Sequence, residues 1–95
     1  MPNLTKIDFI NEIQQLKYES RINGSVYIEI LAGDLHRSMG DYPGQNHRMP
    51  SCCDAMYDCM DTPKGDIILE KPDKGRGAKL KIRFQGQEDR IGLSL

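Results

Sequence analysis

The densest charge in this chain lies near its end. Lys71, Lys74, Arg76, Lys79, Lys81 and Arg83 fall within residues 71–83 against Asp73 alone, a local sum of +5. Gly75 and Gly77 bracket Arg76, so the backbone there can come close to a partner. The chemistry on offer is attraction of phosphate, with counterions released at each contact. The plainer alternative is a solvated sheet face whose cations discourage edge-to-edge pairing. A second polar cluster, Gln45-Asn46-His47-Arg48-Met49-Pro50-Ser51, leads into a helix. Asn46, His47, Arg48 and Ser51 carry groups suited to base edges or phosphate oxygens. They equally suit a polar loop that satisfies its own backbone.

Other chemistries are less well served. Cys52, Cys53 and Cys59 are odd in number and clustered, and adjacent cysteines bridge only with strain. No disulfide framework is expected, which suits a reducing compartment. With His36 and His47 these thiols could offer zinc ligands, but CxxC and HxxxH spacings are missing. Cys52 and Cys59, seven apart on one helix, would be about 10 Å distant along the axis. Buried thiols acting as small hydrophobes are the better account, and neither metal nor cofactor is expected. A cysteine–histidine nucleophile is conceivable, yet no catalytic signature surrounds either cysteine, and phosphate loops and paired acids are missing too. An enzyme is not expected.

The chain has 95 residues, 38% hydrophobic and 28% charged, with a net charge of −1. That suits one soluble domain with one modest core. No apolar run is long enough to cross a membrane, and no secretory signal opens the chain, so a cytoplasmic domain is the expectation. The near-zero total conceals asymmetry: residues 40–70 hold two basic and six acidic groups, a sum of −4, beside the basic block.

The elements that must position these groups follow from pattern. Thr5 and Asp8 form a capping-box pair ahead of a helix whose stripe is Ile7, Phe9, Ile10, Ile13 and Leu16; Asn23-Gly24 ends it. Val26 to Leu31 alternates as a short strand. Asp34 to Met39 predicts two turns of helix stopped by Gly40, in which His36 is a half-buried histidine bonding across to the next element. A turn-rich segment, Asp41 to Asn46, precedes a helix from Pro50 to about Asp61, with Cys53, Met56, Tyr57 and Met60 inward. Asp54, Asp58 and Asp61 share a face of that helix, where they would repel phosphate. Asp66 to Lys71 reads as a strand and Pro72 to Gly77 as a loop. In the return strand Ala78, Leu80, Ile82 and Phe84 alternate with Lys79, Lys81 and Arg83, core on one face and cations on the other. The core spans residues 5–84; residues 85–95 read as a frayed tail in which Ile91, Leu93 and Leu95 could add a weak strand.

The order helix, strand, helix, turn, helix, strand, basic loop, strand resembles the winged helix-turn-helix architecture over residues 5–84. Gly33-Asp34-Leu35-His36-Arg37 and His47-Arg48-Met49-Pro50, followed by a glycine-rich basic hairpin, also resemble stretches of small uncharacterised prokaryotic proteins. The resemblance implies an α+β domain whose second and third helices form the helix-turn-helix and whose closing hairpin is the wing. The turn, about six or seven residues, is longer than the tightest such units use. It further implies double-stranded DNA as partner, as for a transcription regulator. On that view Asn46, His47, Arg48 and Ser51 lie at the reading end, and Lys71, Lys74, Arg76, Lys79 and Lys81 lie on the wing. The alternative is a protein-interaction module on the same fold, its acidic helix face docking a basic partner. The oligomeric state is not legible.

Overall fold

The computed structural model describes residues 4–40, 44 and 47–86. It is an α+β domain with the elements α1 (Lys6–Ile22), β1 (Tyr27–Leu31), α2 (Ala32–Met39), α3 (Met49–Cys59), a 3-10 turn (Thr62–Lys64), β2 (Ile67–Glu70) and β3 (Lys81–Gln85). The three strands form one antiparallel sheet in the order β1-β3-β2. The three helices and the small sheet with its closing β2–β3 hairpin are laid out compatibly with a winged helix. Among the described residues no helix is long and apolar enough to cross a membrane.

The capping box forms as the sequence predicts. The Asp8 amide donates to the Thr5 hydroxyl, and the Thr5 amide donates to the Asp8 carboxylate. The apolar stripe of α1 is rotated from its expected position: Phe9, Ile13 and Lys17 are buried, whereas Ile7 is 60% exposed. Phe9 and Ile13 meet Ile82, Phe84, Met56 and Cys52 in one core.

Helix α2 starts two residues earlier than Asp34 predicts. Its first amides need no side-chain cap, because Ala32 donates to the Leu80 carbonyl at 2.8 Å and Gly33 to that of Ala78 at 3.0 Å. A Cβ at Gly33 would stand 3.1 Å from the Ala78 methyl group, so glycine permits this close approach. The same contacts delay β3. Residues 78–80 stay outside the strand ladder while keeping its alternation, with Leu80, Ile82 and Phe84 buried and Lys79 exposed.

Helix α3 ends at Cys59 rather than Asp61. The buried Asp66 carboxylate takes the Asp61 amide at 2.9 Å and the Gln85 amide at 2.7 Å, drawing the chain out of the helix. Its inward face is Met49, Cys52, Cys53, Ala55 and Met56, with Met60 only half-buried. Strand β2 is shorter than predicted because Asp66 turns inward, and none of its residues is buried. Gln85 belongs to β3 and bonds Asp66, so the core extends past residue 84; the expected tail beyond residue 86 lies outside the described residues.

Candidate nucleic-acid interface

Residues 40–48 separate α2 from α3, a longer connection than the sequence suggests. Two imidazoles bracket it. His36 is fully buried rather than half-buried. Its Nε2 accepts the Arg48 amide at 2.8 Å, and its Nδ1 faces the Gly40 carbonyl at 3.0 Å. Because Nε2 accepts, Nδ1 carries the proton and donates. One ring thus ties both ends of the connection together, bonding across to the next element as the sequence predicts. The Met49 amide in turn donates to His47 Nδ1 at 3.2 Å. The start of α3 is therefore held by histidine rings instead of a Ser or Thr cap.

This places the sequence-predicted reading residues. His47 is exposed, Arg48 is the N-cap residue of α3, and Ser51 lies half-buried in its first turn. Asn46 lies outside the described residues.

The basic loop folds back onto α3. The Tyr57 hydroxyl donates to the Gly75 carbonyl. The Cys53 thiol donates to the Gly77 carbonyl at 3.4 Å and accepts the Gly77 amide at 3.3 Å. Arg76 Nε sits 2.6 Å from Asp54 Oδ1. Gly75, at φ +84, makes the tight turn that brings the tip down. The loop is thus clipped along the middle of α3.

Charge pairing then sorts the cations. Arg76 is matched by Asp54, whose carboxylate holds the guanidinium charged. Lys81 and Arg83 flank Glu29 of β1, at 3.6 and 2.9 Å; chiefly through Arg83, the pairing lowers the Glu29 carboxyl below its ordinary range. Arg83 also lies over the Tyr27 ring, 4.4 Å from its centroid. Lys71, Lys74 and Lys79 are exposed and carry no ion pair among the described residues. The α3 acids are sorted as well: Lys6 of α1 lies 2.6 Å from Asp58, so two of the three aspartates expected to repel phosphate are compensated within the domain. Sequence reasoning missed Glu29 and Lys6 as counterions, since strand register and helix packing supply both.

The cysteines are free, and no group of three or more candidate metal ligands occurs among the described residues. Burial pushes the Cys52 thiol up to about 12, and burial raises Cys53 as well. The native state therefore keeps a proton that the unfolded chain releases above its ordinary thiol range, so stability falls as pH rises between 9 and about 12. Across that window Cys52 contributes a slope approaching about 1.4 kcal/mol per pH unit. Denaturant titrations at stepped pH will show this slope reduced in Cys52→Ala.

Comparison with protein-family models, with curated proteins and with solved structures finds no match for this chain.

Proposed function

We propose that this domain binds double-stranded nucleic acid through the start of α3 and the loop clipped beside it. One observation carries the reading. The loop tip rests on Asp54 and Tyr57 of α3, leaving Lys71, Lys74 and Lys79 on the same hairpin as cations without an ion pair among the described residues. The α3 aspartates at 54 and 58, the main objection to a polyanion on this side, are already paired with Arg76 and Lys6. Lysines would then meet phosphates, and Arg48 and Ser51 would meet phosphate or base edges near the helix start. Arg76, Lys81 and Arg83 act within the fold, as struts between elements.

The direct test is titration against random-sequence duplex DNA at several salt concentrations. Affinity should fall linearly on a log–log plot, with a slope set by the number of phosphates contacted. Absence of salt-dependent binding would remove the proposal. A variant of opposite sign sharpens it. Asp54→Asn releases Arg76 from its counterion, so affinity should rise several-fold and the salt slope steepen by up to about one.

A second reading is favoured by a separate observation. β2 is an edge strand on which Ile67, Ile68 and Leu69 are 46%, 39% and 36% exposed. An extended segment of a protein partner could add to that edge. Such binding would survive loss of the hairpin lysines and fail with Ile68→Lys.

A further inference from the structure

The outward face of α1 is not that of a solvated helix. At 3.6 residues per turn, Ile7, Asn11, Gln14, Gln15, Tyr18 and Ile22 fall opposite Phe9, Ile13 and Lys17, which face the core. All six are exposed, and Ile7, Tyr18 and Ile22 are so at 60%, 48% and 62%. None carries a charge, although a surface helix normally turns its charged residues to this side. The stripe is about 22 Å long, from the first turn of the helix to its last. Asn11, near its middle, makes no side-chain hydrogen bond among the described residues. The charges of α1 stand to either side. Asp8, Glu12 and Glu19 follow one edge of the stripe, and Arg21, lying over the Tyr18 ring, stands on the other. Lys6 and Lys17, further round on the Arg21 side, are taken up by Asp58 and by the core.

We propose that this stripe pairs with the same stripe of a second copy of the chain, the two α1 helices running parallel about a two-fold axis. The composition of the stripe selects a second copy. In such a pair each residue on the seam meets its own counterpart, so a charge there would repel itself, and the stripe has none. The apolar side chains suit their counterparts. The Asn11 amide, donor and acceptor at once, can bond its own copy, as a seam asparagine does in parallel helix pairs. The edges fix the direction. In the parallel pair the Glu19 edge of each copy lies beside the Arg21 edge of the other. In an antiparallel pair each edge would meet itself, setting three acids against three acids. The Arg21 guanidinium has donors for a carboxylate besides its contact with Tyr18. Covering the face removes roughly 600 Å² per copy, about 1,200 Å² in all, the lower end of what a specific interface buries. The dimer is therefore concentration-dependent, with a dissociation constant on the order of tens of micromolar. The proposal does not rest on the nucleic-acid reading, and its test uses no DNA.

The experiment is analytical ultracentrifugation of the whole chain over a concentration series spanning the expected constant, from about 5 to about 500 µM. A reversible monomer–dimer equilibrium should appear. Tyr18→Glu and Ile22→Glu, both at exposed positions, should each weaken dimerisation by about tenfold or more, because two like charges then meet across the axis. Arg21→Glu and Glu19→Lys should each weaken it several-fold. Mixing those two variants should restore it, because each altered edge then lies beside its complement. A chain that stays monomeric throughout, a dimer that survives both Tyr18→Glu and Ile22→Glu, a dimer lost instead with Ile68→Lys at the β2 edge, or no recovery on mixing would each overturn the assignment.

Discussion

Replacing Lys71, Lys74 and Lys79 together by glutamine should lower duplex-DNA affinity at low salt by roughly a hundredfold and reduce the salt slope by nearly three, about 0.9 for each phosphate no longer neutralised. These three are the cations of the basic block that carry no ion pair among the described residues. Their replacement removes attraction to the duplex without disturbing a native pair. The fold should be unaffected, because all three are exposed; an unchanged thermal melt is the control. By contrast Arg76→Gln leaves Asp54 uncompensated on the same face. Its effect on binding combines the removal of a cation with an exposed acid, so it reports on the clip and not on phosphate attraction alone. If the triple variant binds duplex DNA as the parent does, the hairpin is not the binding surface.

The second large effect is on stability. His36→Ala should destabilise the domain by about 3–5 kcal/mol, the loss of a buried ring plus two backbone groups left without partners. His36 packs edge-on against Phe9, with ring centroids 5.0 Å apart, besides bonding Arg48 and facing Gly40. In a domain of this size each kcal/mol moves the midpoint by about 4–8 °C, so a fall of roughly 12–40 °C is expected. His36→Gln keeps one donor and one acceptor and should recover part of the loss. Thermal melts of the two variants check this; equal destabilisation by both would mean that the ring's volume matters and its hydrogen bonds do not. Because His36 fixes where α3 begins, DNA affinity should fall in His36→Gln even below its melting temperature.

Much of the architecture is legible from local pattern. The Thr5–Asp8 cap, the alternation of Leu80, Ile82 and Phe84 against Lys79, Lys81 and Arg83, and Gly40 as the stop of α2, at φ +110, are all short-range features. Pattern and structure part where a distant group competes. Helix α2 begins early because carbonyls at 78 and 80 cap it, and α3 ends early because Asp66 captures an amide. The stripe on α1 predicts Ile7 in the core, whereas packing against the sheet turns Lys17 inward instead.

The same division holds for the candidate sites. Residue types and spacing alone established that the chain carries a glycine-flanked cationic hairpin, a polar lead into a third helix, and an acidic helix beside them. Sequence order alone also established the three-helix, small-sheet composition, since caps, turns and periodicity act over a few residues. Only the folded chain decided which charges cancel. Arg76 meets Asp54 across 22 residues and Arg83 meets Glu29 across 54, and Coulomb attraction depends on separation in space, which sequence distance does not encode. Packing likewise buried Lys17, by pattern one more helical lysine, with its ammonium over the Phe84 ring.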